Sequence, residues 1–223
     1  MAITTLNLRA LNRSDTATSG QVITATSATA ADFQDAAGGY WNLIKSITAS
    51  SDATISFVNG SASVVLDATY KQYMIRMIDV HLSAAADFTF NGSIDAGSNY
   101  NVVKMASPYA TYHREGDASE AGIQYRGTED STLSTAFQPL AADMNIDADS
   151  AYSGEIILYN PAGTVHIKHY INHGSYFDSS STPYAKFFSL GGYFNTTSAV
   201  NAIQFKPVSG NIDTGQFILY GAT

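Results

Sequence analysis

Three histidines, His166, His169 and His173, lie close together in the sequence and are the first residues that invite metal chemistry. In an extended chain His166 and His169 point to opposite faces. His169 and His173 stand about 13 Å apart at ~3.3 Å per residue, too far to hold one ion between them. His169 shares a face with Val165, Ile167 and Ile171 and is expected as a core or interface histidine, while His166 and Lys168 are expected on a solvated face. The segment 143–155, DMNIDADSAYSGE, offers a second metal pattern, with oxygen donors at Asp143, Asn145, Asp147 and Asp149. This is the opening spacing of a calcium loop, but the position that needs glycine holds Ala148, and the position of the bidentate acid holds Gly154, with Glu155 one place late. The segment reads as an acidic turn between strands.

For catalysis there is no G-x-S-x-G, H-E-x-x-H, dinucleotide or phosphate-loop pattern. Distant acids such as Asp117, Glu120, Glu129 and Asp130 could in principle converge on a glycosidic bond, but any acidic protein offers such pairs, and they are expected as solvated loop charges. Tyrosine is the remaining signal. Tyr109, Tyr112 and Tyr125, with Tyr176 and Tyr184 on either side of a serine run, combine a ring face with a hydroxyl, and are candidate contacts for a partner protein or a glycan. No cofactor motif is present, and without cysteine the chain has no disulfide, thiolate metal site or cysteine nucleophile.

These side chains must be held by strands. Of 223 residues only 13% are charged, and 14 Tyr and 11 Phe stand among abundant Ser, Thr, Ala, Gly and Asn. Such a composition suits many short strands joined by polar turns. From Tyr40 onward, ten segments carry strand character: 40–48, 53–58, 73–82, 86–94, 135–141, 153–159, 164–172, 187–194, 200–206 and 216–220. Turn residues fall between them at Asn59-Gly60, Asn91-Gly92, Asn160 to Gly163 and Ser209-Gly210-Asn211. The segment 99–134 reads as one long irregular region, and the last two strands read as a closing hairpin whose Ile203, Phe205, Phe217 and Leu219 are buried. The expected fold is all-β, a jelly-roll-like antiparallel β-sandwich over 40–223.

Residues 1–39 differ in being rich in Thr, Ser and Ala. They read as an extended N-terminal arm anchored through Leu6, Leu8, Leu11 and Phe33, with a strand at Val22-Ile23 and a short helix over 30–37. The 19 acidic residues outnumber the 11 basic ones, so no nucleic-acid partner is expected, because phosphate neutralisation needs clustered Lys and Arg. No apolar run is long enough for membrane insertion, and no secretion signal is recognised at the start.

The phrase SGNIDTGQFILYG near the C-terminus, with NTTSAVNAIQF before it and LYNPAGTVHIKHYI further upstream, resembles a family of bacteriophage virion proteins that close in similar SGNI…G…LYG phrases. The similarity extends from Tyr40 through YKQYMIRMIDVHL and FNGSIDAGSNYNV, and the arm looks like the attachment segments of phage fibre proteins. The resemblance implies a β-sandwich, assembly as a homo-oligomer such as a trimer, contact with other virion proteins and exposure on the outside of the virion. It implies no reaction. The expected function is therefore that of a non-enzymatic virion structural protein, a tail-fibre or baseplate-type subunit docked by its arm and meeting a host surface glycan or receptor. The alternatives are a capsid decoration protein and, from a different class, a carbohydrate-active enzyme.

If the closing strands are buried as read, Leu219→Asp abolishes folding or assembly, because it places a charge where no partner exists. Gel filtration and circular dichroism of the variant check this, and a soluble, native-like Leu219→Asp protein would contradict the reading.

Overall fold

The computed structural model describes residues 21–25, 31–35, 39–117 and 119–223, the first two segments as backbone only. Contacts divide the chain into two units, Met1–Trp41 and Asn42–Thr223. In the first, β1 (Gln21–Ala25) and β2 (Ala31–Asp35) form an antiparallel pair with Ile23 opposite Phe33. The strand at Val22-Ile23 is present, but Ala31–Asp35 is a strand and not the expected helix. Its partner strand supplies backbone hydrogen bonds that override the helix preference of an alanine-rich segment. Leu6, Leu8 and Leu11 lie outside the described residues.

The second unit contains β3 (Asn42–Asp52), β4 (Ile55–Val58), β5 (Gln72–Leu82), β6 (Ala86–Ser93), β7 (Lys104–Arg114), β8 (Ala121–Tyr125) and β9 (Ser131–Ser134). It continues with β10 (Gln138–Met144), β11 (Tyr152–Tyr159), β12 (Lys168–Phe177), β13 (Tyr184–Phe194), β14 (Ala202–Pro207) and β15 (Ile212–Ala222). They form a 4-stranded sheet in the order β10-β6-β14-β4 and a 9-stranded sheet in the order β3-β15-β5-β11-β12-β13-β7-β8, with β9 also on β7. All pairings are antiparallel. Removing β7–β9 and β12–β13 leaves eight strands in the orders β3-β15-β5-β11 and β4-β14-β6-β10, which is jelly-roll topology. The chain is thus a jelly roll whose larger sheet is widened by two insertions.

The closing strands are not a hairpin. The turn at Ser209-Gly210-Asn211 exists, with Gly210 at φ 76° and Asn211 N donating to Ser83 Oγ at 2.8 Å. It carries the chain from one sheet to the other, so that β14 pairs with β6 and β4 while β15 pairs with β3 and β5. Phe205 and Phe217 then meet across the sandwich, ring centroids 5.5 Å apart and planes tilted by 47°. Ile203, Phe205, Phe217 and Leu219 are all fully buried, as the sequence indicated. Phe88, Phe90, Tyr152, Tyr170 and Phe194 extend this aromatic seam between the sheets.

Two further expectations fail for physical reasons. Asn91-Gly92 is the interior of β6 and not a turn. The buried Asn91 amide donates to Tyr100 O at 2.8 Å and Thr135 O at 2.9 Å, while a Cβ at Gly92 would lie 2.9 Å from the Phe194 ring. The region 99–134 is likewise no irregular loop but carries β7, β8 and β9. Pro108, which argues against a strand interior, falls between the stretch of β7 paired with β9 and the stretch paired with β8, where no neighbour needs its missing N–H.

The face assignment of β12 is also the reverse of the expected one. Lys168, Tyr170, Asn172, Gly174 and Tyr176 point inward, and His169 is exposed, edge to face with Tyr193 at 5.9 Å. Tyrosine packing decides the register, and the polar groups are satisfied locally. Asn172 meets the Tyr152 hydroxyl at 3.0 Å, and the Lys168 ammonium donates to the carbonyls of His166 and Thr196, at 2.5 and 3.2 Å. Gly174 completes the fit, since a Cβ there would lie 2.2 Å from the Tyr152 ring.

A second buried lysine, Lys104, faces the same interior and donates to Ala136 O. Burial pulls its pKa from 10.5 down to about 8. The unfolded chain therefore keeps this proton up to pH 10.5 while the native state sheds it near pH 8. Native stability rises across that window and bears the full cost of the buried charge below it. Relative to Lys104→Met, wild-type stability should improve by about 3 kcal/mol between those limits, measured by urea unfolding at pH 7 to 10.5; a pH-independent difference would contradict this account.

Candidate functional site

The larger sheet is wider than the smaller one that covers it. The edge strand β10 packs over β12 and β13, so the inward faces of β7, β8 and the start of β13 extend beyond the core. Alternation along these strands keeps sending side chains to that face, where they line a cleft of about 250 Å³ formed by Ala110, Tyr112, Gln124, Arg126, Asp178, Tyr184 and Lys186. The register sets Lys186 opposite Tyr112, Ala110 opposite Gln124 and Tyr112 opposite Gly122.

Tyr112 and Tyr184 meet edge to face, centroids 5.7 Å apart at 81°. Around them each charge has its own partner. Lys186 Nζ lies 2.7 Å from Asp178 Oδ2, a pair almost withdrawn from solvent, with side-chain exposures of 12% and 6%. Arg126 forks onto the buried Glu129, its Nε donating to Oε2 at 3.2 Å, and reaches Gln124 Oε1 at 3.3 Å. Arg114 pairs with Glu120 at 3.0 Å, and the Tyr184 hydroxyl donates to the same carboxylate at 2.5 Å. Burial acts to raise the Asp178 carboxyl, but hydrogen bonds from Lys186 and from Tyr184 N outweigh it and hold its pKa below the ordinary value. The hydrogen bond to Glu120 raises the pKa of the Tyr184 phenol.

The five candidate tyrosines thus separate into three places. Tyr112 and Tyr184 share the cleft. Tyr109 and Tyr125 are register partners on the opposite, outward face, 44% and 56% exposed, with the Tyr125 hydroxyl donating to Asp130 at 2.8 Å. Tyr176 is a core residue whose hydroxyl accepts from Ala142 N at 3.1 Å, and it is not available at the surface. Sequence reading missed Gln124, Arg126, Asp178 and Lys186. The alternation of small inward residues Ala106, Pro108 and Ala110 with Met105, Ser107 and Tyr109 was the available signal.

The outward face carries a row of register partners running Tyr125, Tyr109, Ser189, His173, Glu155, Arg76. Ser189 Oγ lies 3.0 Å from His173 Nδ1, and Glu155 pairs with Arg76 at 3.3 Å. The order of serine, histidine and acid invites a nucleophilic reading, but Glu155 is held by arginine. The backbone of β13 around Ser189 is also paired on both sides, with β12 and β7, leaving no pair of free N–H groups to receive an oxyanion.

The acids considered for glycoside cleavage also have local partners: Asp117 accepts from Ser119, and Glu120, Glu129 and Asp130 are engaged as described. The acidic segment closes as a turn, with Asp147 N donating to Asn145 Oδ1 at 2.6 Å and Ser150 N to Asp147 O at 2.8 Å. Among the described residues no group of three His, Cys, Asp or Glu side chains converges as a metal site. Comparison of the chain with protein-family models, with curated proteins and with solved structures gives no match.

Removing the cation of the Lys186–Asp178 pair leaves a buried carboxylate with backbone N–H donors but no countercharge. Lys186→Met should cost about 3–5 kcal/mol. Because the Asp178 pKa is lowered in the native state, that contribution is present above its unfolded pKa of 3.8 and is lost as pH falls through the native value. Denaturation of both proteins at pH 7 and pH 3 measures it, and a difference that does not shrink toward pH 3 would overturn the assignment.

Proposed function

We propose that the chain is a non-enzymatic structural protein on the exterior of a bacteriophage virion, a tail-fibre or baseplate-type subunit that docks through its N-terminal segment and presents the jelly roll outward. The observation that carries this reading is the widened sheet. Beyond the eight-strand frame, the inserted strands add surface, with Met105, Tyr109, Ile123, Tyr125 and Phe187 exposed on the outward face. Scattered apolar exposure is ordinary, but aromatic and aliphatic groups gathered on adjoining strands suit contact with sister subunits. The separate first unit suits attachment, and the acidic balance of 19 to 11 suits a position away from packaged DNA. The resemblance of the SGNIDTGQFILYG segment to phage virion proteins points the same way.

Antibody labelling of purified phage particles, with copy number from quantitative mass spectrometry, tests the proposal. Label at the tail with a low copy number is expected. Dense label over the head would favour capsid decoration instead, and particles that lack the chain would refute a virion role.

A further inference from the structure

We propose that the Tyr112–Tyr184 cleft is a binding site for a neutral sugar ring. The inference names a ligand class for the exterior surface proposed above and takes its biological meaning from that reading. It stands on three features of the cleft.

The first is the aromatic pair. The two rings, set edge to face, line a concavity of about 250 Å³, below the ~300 Å³ where pockets for drug-sized ligands begin and of a size for one pyranose. The negative face of an aromatic ring attracts the polarised C–H groups of a pyranose, while the hydroxyl groups around the sugar rim need donors and acceptors. Gln124, Arg126, Asp178 and Lys186 supply both kinds around the same concavity.

Charge is the second feature. Arg126, Lys186 and Arg114 are matched one to one by Glu129, Asp178 and Glu120. A phosphate or other anion would have to break an existing ion pair to gain one of its own. An uncharged polyol can use the remaining donor and acceptor positions and leave all three pairs intact.

Rigidity is the third. Tyr112 lies over Gly122 of the neighbouring strand, where an added Cβ would sit 2.9 Å from its hydroxyl, and Tyr184 is tied through its hydroxyl to Glu120. Rings held before a ligand arrives lose little freedom on binding, which matters for a ligand as small as one sugar.

Ligand-observed NMR on the purified full chain, with methyl β-D-glucopyranoside, methyl β-D-galactopyranoside and N-acetylglucosamine as probes and inorganic phosphate as competitor, tests the proposal. At least one sugar should bind with a Kd on the order of ~1 mM, and phosphate should not displace it. Tyr112→Ala should weaken binding by about tenfold. Gln124→Ala, at an exposed position that the fold tolerates, should weaken it by about threefold and serves if Tyr112→Ala does not fold. Absence of binding by all three sugars to the folded wild type, binding unchanged in the folded variants, or displacement by phosphate would each overturn the proposal. No particle is used, so failure here leaves the virion reading to its own test.

Discussion

The contact on which the rest of the sandwich depends is the meeting of Phe205 and Phe217 across it. The two residues belong to consecutive strands, yet the short turn between those strands carries the chain over the edge of one sheet and into the other. Two sheets pack about 10 Å apart, a gap that paired aromatic rings fill. Phe88 stacks with Phe205 at 6.1 Å and meets Phe217 at 6.2 Å, so one cluster ties β6, β14 and β15 into a single core. On either side of β14 and β15 the remaining frame strands are hydrogen-bonded outward from them.

The Tyr112–Tyr184 cleft lies where that frame is exceeded. The inserted strands β7, β8, β12 and β13 continue the larger sheet past the edge of the smaller one, and the same alternation that fills the core under β10 furnishes an open cleft further out. Core and cleft are therefore one face of one sheet, differing only in whether a second sheet covers it. This explains why the cleft is built from half-buried ion pairs and tyrosines: they are the groups that tolerate a face neither dry nor fully solvated.

The frame was largely legible because many of its strands alternate and are separated by turn residues, as β11 and β14 illustrate. The insertions were less legible because their inward positions break the apolar code. Small residues and Pro108 occupy β7, and Lys168 and Asn172 point inward from β12 while Ile171 points out. What makes such inversions stable is partner geometry, a carbonyl within reach of an ammonium or a phenol opposite an amide, and sequence spacing does not display it. The same gap hid the cleft, since Arg126, Asp178 and Lys186 come together only when β12, β13, β7 and β8 are laid side by side in that order. Asn91-Gly92 misled for the opposite reason: its local preference is for a turn, but buried hydrogen bonds and an aromatic ring at the glycine hold it extended.

The position of Asn91 has a consequence for how such a chain can change over time. Its amide sits inside the frame yet is satisfied by Tyr100 and Thr135, on the two flanks of the first insertion. A deletion that removed or displaced either flank would therefore strand a polar group in the dry interior, a cost of about 1–3 kcal/mol. The frame thus relies on the two flanks of an addition it does not topologically need. The excursion can vary at its exposed tip, Glu115 and Gly116, but its two flanks are held by the amide they share.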